Sequence, residues 1–286
     1  MAPVSPILNH TQETRKTPVT ATLIQSAQPF SKEETARIVE QFERDGYIHL
    51  GNLLTTEEVQ GLRERIDCVF DDPTSEQTHH NLAGWMLIRI FERDNMFRDM
   101  LVREPIISLM EAMLGPDCHL INDGVVRNDP GQALSQWHVD DTVYFPISPG
   151  MQRHDPRLKM PIFAINVQIA LSDVPSDEYG PTQVVPGSHY SGRYPEQQNP
   201  TFEGQGPVSI YTRAGDVYLQ NSQVWHRGAP NTSNRRRYLY QLAYSPRFMS
   251  QRFYPYLNYR MPDHVLEGAD ERLLRVLGKH SIGAWG

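Results

Sequence analysis

The sequence predicts a mainly β protein with a helical annex: helices come first, and an antiparallel barrel or jelly roll follows. Two observations carry this. Up to Gly115 the chain is dominated by capped, amphipathic helical segments. Beyond it come short apolar or alternating runs separated by Gly, Pro, Asn and Asp, among them CHLINDGVV, ALSQWHVD, MPIFAINVQIALSD, TQVVPGSH, VSIYT, GDVYLQNSQVWHRG and RRYLYQLAYS. Closely spaced strands without interleaved helices exclude an α/β sheet.

Residues 1–30 are rich in Pro, Thr, Ser and Gln and carry no hydrophobic period, so they read as a flexible arm. The remainder, 31–286, reads as one domain, with 31–115 mostly helical, 116–248 the β core and 249–286 a C-terminal extension. Ser31 begins a helix as N-cap, Glu34 completes a capping box and Gly46 ends it. Tyr47 to Leu50 follows as a short strand. Thr55 or Thr56 caps the next helix, which places Val59, Leu62, Ile66 and Phe70 on one face. A third amphipathic helix runs through EPIISLMEAMLG. The extension is aromatic-rich and suits either a lid over the barrel mouth or a contact in a homodimer; the sequence does not choose.

Composition narrows the function. Of 286 residues, 39% are hydrophobic and the mean hydropathy is −0.52, with no apolar run long enough for a membrane helix. A net charge of −7 and a pI of about 5.9 offer no electrostatic footprint for nucleic acid or an anionic membrane. The two cysteines, Cys68 and Cys118, make neither a zinc knuckle nor a disulfide framework, and the N-terminus lacks the apolar core of a secretory signal. A cytoplasmic protein is expected, acting on a small molecule.

The chemistry concentrates in two segments. In SQWHVDDTVYF, His138 and Asp140 are two residues apart on a predicted strand, so both side chains leave one face, and Gln136 shares it. His226, in NSQVWHRGAPN, supplies a third donor at the end of another strand. Two histidines and a carboxylate on one face of a metal form the facial triad of non-heme Fe(II) oxygenases, which leaves positions free for a cosubstrate and O2. An isolated His-x-Asp occurs often by chance, and its bland reading is a polar strand face. What strengthens it is an arginine about ten residues after His226, since 2-oxoglutarate needs a cation at its far carboxylate. Arg235, Arg236 and Arg237 qualify, although a charged triplet is more usually a solvated turn. If Leu239, Gln241 and Ala243 face inward, so do Arg235 and Arg237, while Arg236 faces outward with Tyr238 and Tyr240; Arg237, nearer the strand, is the expected clamp.

HVDDTVYFPISPG, NVQIALSDVPSDEYGPTQVVPGSHYSG and GDVYLQNSQVWHRGAPNTSNRRRYLYQLAYS, in that order, resemble the phytanoyl-CoA dioxygenase family of Fe(II)/2-oxoglutarate oxygenases, from about Ser31 to about Phe248. The resemblance implies a double-stranded β-helix, iron held by His138, Asp140 and His226, and 2-oxoglutarate paired with Arg237. It further implies that Gln168, Thr182 and Gln136 lie near the cosubstrate, and that Arg89 touches cosubstrate or substrate. Asp140 argues against halogenation, because halogenating relatives carry a small residue there. Hydroxylation of a small secondary metabolite is the default expectation, with desaturation, epoxidation, ring closure and demethylation left open because they depend on how the substrate radical is held.

Neighbouring residues receive plainer assignments. His189 in PGSH is expected to be structural, Asp141 a surface or turn-capping carboxylate, and Trp137 and Trp225 core aromatics. His79 and His80 are expected in a mobile loop. Tyr144, Phe145 and Trp85 are candidates for a pocket wall that spacing alone does not settle. Two rival readings use the same residues: a zinc hydrolase, which has no need of the arginine clamp, and a non-catalytic jelly-roll binding module, which has no need of all three ligands.

Overall fold

The computed structural model describes residues 28–72, 79–81, 84–253 and 256–280. Most of the expected N-terminal arm and the side chain of Trp85 lie outside them.

Helix α1 (Lys32–Asp45) starts at Ser31, whose hydroxyl accepts from the Glu34 amide while the Glu34 carboxylate accepts from Ser31. It ends at Gly46 with φ 76°, where a Cβ would come within 2.4 Å of His189 Nδ1, so both the left-handed backbone and the space demand glycine. Strand β1 (Tyr47–Asn52) leads to α2 (Thr56–Asp71), capped by Thr55 with a second capping box, and Val59, Leu62, Ile66 and Phe70 are all buried. Short strands β2 (His79–Asn81) and β3 (Gly84–Ile88) follow, then α3 (Asn95–Met100) and α4 (Ile106–Leu114). Among the described residues, 31–115 is thus less purely helical than expected: β3 pairs with β4 of the large sheet, and His79 and His80 lie on a strand, not a loop.

The β core comprises β4 (His119–Asn128), β5 (Ile165–Ala170), β6 (Thr182–Val184), β7 (Val208–Ile210), β8 (Asp216–Asn221), β9 (His226–Gly228) and β10 (Arg237–Ser245). A seven-stranded sheet has the order β1-β8-β5-β10-β4-β3-β2 and a three-stranded sheet the order β7-β6-β9, with antiparallel pairings in both. The two sheets form the jelly roll, or double-stranded β-helix, that the sequence predicts.

Strand alternation decides what each face does. On the large sheet, Ile165, Val167, Ile169, Val217, Leu219, Tyr240, Leu242 and Tyr244 turn outward into the main core, against Phe42, Leu62, Ile66, Phe97 and Met110 of the helical layer. The intervening residues turn toward the small sheet: Val126, Tyr218 and Leu239 pack with Val184, Ile210 and Val224, and polar residues fill the rest. Both faces of the sheet are therefore buried, the outer one apolar and the inner one partly polar, which is why β5 alternates apolar and polar residues. A third cluster, Trp137, Val139, Val185, Phe202 and Trp225, covers the far side of the small sheet, so both tryptophans are core residues as expected.

The C-terminal extension belongs to the core. Helix α5 (Asp263–Leu266) and helix α6 (Glu271–Val276) bury Val265, Leu273, Val276 and Leu277 in the main cluster, and Arg272 bonds Glu111 of α4 through Nε at 2.9 Å and Nη2 at 2.6 Å. Helices α5 and α6 thus close the helical layer.

Candidate metal centre and cosubstrate cavity

His138 and Asp140 do not lie on a regular strand. They occupy an extended segment that joins the small sheet through one antiparallel bridge, in which the His138 amide donates to the His226 carbonyl and the His226 amide to the His138 carbonyl, both at 3.0 Å. The Asp140 amide adds a bond to Ser222 O at 3.0 Å. Two histidines distant in sequence are thus paired directly across the backbone.

The donor atoms converge. Asp140 Oδ1 is 3.3 Å from His226 Nε2 and 3.7 Å from His138 Nε2, and the three donors lie within 4.8 Å of one another. Donors held about 2.1 Å from one ion and at right angles would be about 3.0 Å apart, so a small inward movement would complete a three-sided site. The ring tautomers are prepared for it. His138 Nδ1 is 2.9 Å from Gln136 O and His226 Nδ1 is 3.0 Å from Val224 O; each ring must donate there, which leaves Nε2 with its lone pair free. Asn166 Nδ2 donates to Asp140 Oδ2 and so turns Oδ1 toward the imidazoles. The donor set fits Fe(II).

The electrostatics agree with this arrangement. Burial lowers the His138 pKa and His226 beside it lowers it further. At His226 burial also depresses the pKa, but the Asp140 carboxylate outweighs it and the net shift is upward. For Asp140 burial pushes up, while His226, His138 and Asn166 together pull the carboxyl below its ordinary value. The Asp140 side chain is 31% exposed, a figure that reflects its opening into the cavity.

A cavity of about 260 Å3 lies between the sheets, lined by all three residues and, further along, by Gln168, Thr182, Leu239, Gln241 and Arg237. Arg237 Nη2 donates to Thr182 Oγ1 at 3.1 Å, and Thr182 Oγ1 is 2.7 Å from the Tyr218 hydroxyl, whose pKa is raised by burial. A chain of amides forms one wall: Gln241 Nε2 donates to Gln168 Oε1 at 2.9 Å, and Gln168 Nε2 to Gln220 Oε1 at 3.0 Å. The other two arginines turn elsewhere. Arg236 pairs with Asp129 on the surface at 2.6 Å, and Arg235, which precedes the strand, stacks over Tyr179 at 4.4 Å. Parity therefore excluded Arg236 correctly but gave no basis for an inward Arg235.

Two expected residues are not on the cavity wall. The Gln136 side chain is exposed, because the backbone around it is an irregular extended segment whose faces do not alternate as in a strand; it serves the centre through its carbonyl. Arg89 lies on the helical side of the large sheet, 3.7 Å from Glu92 and over the Tyr259 ring at 5.7 Å. His189 is structural, as expected: Nε2 is 3.0 Å from Glu43 O, and burial pushes its pKa down to about 4. Asp141 corrects its assignment. It is 17% exposed, accepts from the Tyr144 hydroxyl at 2.7 Å, and receives both prongs of Arg252, Nη1 at 2.7 Å and Nη2 at 2.9 Å. Arg252 itself lines the cavity. Sequence reasoning missed Asn166, Gln220 and Arg252. The first shares the face of Gln168 two residues on and was open to the same parity argument; no local signal marks Arg252.

Residues 42–238 match the sequence profile of the family described as phytanoyl-CoA dioxygenase, most of the chain including every residue of the triad. The chain belongs to this family. L-proline trans-4-hydroxylase from Streptomyces griseoviridis is 27% identical over 168 residues, covering 57% of this chain and 58% of the relative. The chain thus spans somewhat under two thirds of such a curated relative. Among solved structures, the epimerase SnoN in complex with Fe3+, alpha ketoglutarate and nogalamycin RO aligns with a TM-score of 0.59 and 21% identity, covering 76% of this chain and 85% of that one. HygX from Streptomyces hygroscopicus, with nickel and 2-oxoglutarate bound, gives 0.59 and 18%, covering 78% and 90%. At such identities the structures establish the shared fold.

Proposed function

We propose that this phytanoyl-CoA dioxygenase family member is an Fe(II)- and 2-oxoglutarate-dependent oxygenase that hydroxylates a small organic molecule, a secondary metabolite in class. The observation that carries the reading is the convergence of His138 Nε2, His226 Nε2 and Asp140 Oδ1 in one cavity with the guanidinium of Arg237. In this reading His138, Asp140 and His226 hold the metal, and Arg237, with Thr182 beside it, receives the distal carboxylate of 2-oxoglutarate.

When bound, Fe(II) supplies oxygen activation coupled to decarboxylation of 2-oxoglutarate to succinate and carbon dioxide. The chain's own contribution is orientation. The two Nδ1–H bonds aim the imidazoles, Asn166 fixes the rotation of Asp140, and the amide series Gln241, Gln168, Gln220 presents fixed dipoles along the cosubstrate's course. Leu239, Val126 and Met86 supply an apolar wall that limits water in the cavity. A relative named as a proline hydroxylase supports a small-molecule substrate, the acidic balance of the chain argues against nucleic acid or an anionic membrane as partner, and two unpaired cysteines suit a cytoplasmic setting.

Purified protein supplied with Fe(II), 2-oxoglutarate and O2 is expected to release succinate, and the His226→Ala variant is expected to release none above background. Equal succinate from both would sink the reading. A zinc hydrolase on the same ligands predicts no dependence on 2-oxoglutarate.

A further inference from the structure

The cavity of about 260 Å3 is smaller than the roughly 300–1,000 Å3 of sites that enclose a whole drug-sized molecule. On the oxygenase reading, part of it is already given to the cosubstrate. A substrate of ordinary metabolite size must therefore leave much of its body outside, against whatever surrounds the mouth.

Beside the cavity, off its lining but joined to it through Arg252, stands an aromatic cluster. Phe145 is 42% and Phe248 72% exposed, and among the described residues they are the only exposed phenylalanines. They come from distant parts of the chain, yet both meet the half-buried Phe163, with ring centroids 5.6 and 5.9 Å away. Tyr144 packs on the same ring at 4.8 Å. The cluster is joined to the cavity by bonds: the Tyr144 hydroxyl donates to Asp141, Asp141 holds Arg252, and Arg252 lines the cavity. Phe163 stands three residues before Asn166, which bonds Asp140. Because both prongs of Arg252 are spent on Asp141, the cluster shows apolar ring faces beside a balanced pair and not a bare cation.

We propose that Tyr144, Phe145, Phe163 and Phe248 form the substrate platform of this site, and that the substrate carries an apolar ring that lies on them while its reacting carbon enters the cavity. The proposal rests on the oxygenase reading and assigns its substrate class. Aromatic faces left in water gain most by covering another flat apolar surface.

The test uses the full chain, anaerobic and loaded with Fe(II) and 2-oxoglutarate. 5-Fluoroindole, a neutral flat ring, is titrated and followed by 19F line width; 4-fluoroproline serves as a small zwitterion for comparison. Wild type is expected to bind 5-fluoroindole saturably, with stronger broadening than in Zn(II)-loaded protein, whose ion is diamagnetic. Phe145→Ala and Phe248→Ala, both surface changes that leave the core intact, should each weaken it by about two- to tenfold, the range of one aromatic pair. Phe163→Leu should do so as well. Unchanged affinity in all three variants, or no saturable binding to wild type while 4-fluoroproline binds, overturns the platform. So does a sedimentation change in Phe248→Ala without any change in 5-fluoroindole binding, which would give the cluster to a second copy of the chain. The metal-to-ligand charge-transfer absorption of the same samples reports cosubstrate binding separately, so its absence would strike the oxygenase reading and its presence leaves only the platform under test.

Discussion

Truncating Arg237 to alanine should remove the cation at the far end of the cavity while leaving the metal centre intact. The side chain is partly buried and donates to Thr182, which is itself only 7% exposed. Removing one partner of a buried, hydrogen-bonded charge pair costs roughly 2–5 kcal/mol; since Arg237 opens its strand and is not fully enclosed, the lower end applies. About 2 kcal/mol corresponds to a roughly thirtyfold loss of 2-oxoglutarate affinity. Thr182→Ala removes one hydrogen bond from the charged guanidinium; at about 1.5 kcal/mol that is roughly a tenfold loss. Arg237→Lys should fall between wild type and Arg237→Ala, because an ammonium cannot make the two-pronged contact. Arg236→Ala, whose partner Asp129 is 45% exposed, should change affinity by about twofold or less. The assay is titration of 2-oxoglutarate into anaerobic Fe(II)-loaded protein, read by charge-transfer absorption, with bound iron measured in parallel. Equal affinities for wild type and Arg237→Ala would refute the clamp.

Three further outcomes are expected. His138→Ala and His226→Ala should lose stoichiometric Fe(II), whereas Asn166→Ala should keep the ion with about 10- to 100-fold weaker affinity, as for residues that orient a ligand; equilibrium dialysis distinguishes them, and full iron retention in His226→Ala would remove that residue from the site. His189 refuses a proton in the folded state until about pH 4, while the unfolded chain takes one near 6.5, so stability should fall as pH drops through that interval. Thermal unfolding of wild type should therefore decline more steeply below pH 6.5 than that of His189→Gln, and parallel curves would contradict this. Arg103 is paired with Glu58 at 3.0 and 3.2 Å, both almost fully buried, so Arg103→Ala should cost about 3–5 kcal/mol in urea unfolding, and the double change Glu58→Leu with Arg103→Met less, about 1 kcal/mol of it from the lost Glu58 acceptor of the α2 capping box. A loss under about 1 kcal/mol for Arg103→Ala would show that the stranded carboxylate finds water.

Much of this was legible in the sequence wherever a local rule governs the outcome. Ser31, Glu34, Gly46 and Thr55 act where their chemistry says they must, because a helix end needs donors and acceptors supplied on the spot. Along β10, alternation sends Arg237, Leu239, Gln241 and Ala243 to the cavity and Tyr238, Tyr240 and Tyr244 away from it. The rule fails where the ladder ends: Gln136 and Arg235 sit outside regular strands, and period two does not hold there. Arg89 and Arg252 were beyond reach for another reason. Their positions depend on which distant segments pack together, Tyr259 over the first and Asp141 against the second, and no spacing within either segment encodes that choice.

The backbone pairing of His138 with His226 makes an ion at this centre a cross-link. It would add to the backbone bonds that already join these two stretches, at the bridge, from Asp140 to Ser222 and from Gly228 to Leu134. An ion held only by the folded chain adds RT ln(1 + [M]/Kd), about 2.7 kcal/mol at a hundredfold excess over Kd, and here that energy is applied across one seam. Chelation should accordingly loosen the molecule unevenly. The amides of His138, Asp140 and His226 should begin to exchange with solvent deuterium well before those of β5 and β10, which are hydrogen-bonded on both sides within the large sheet.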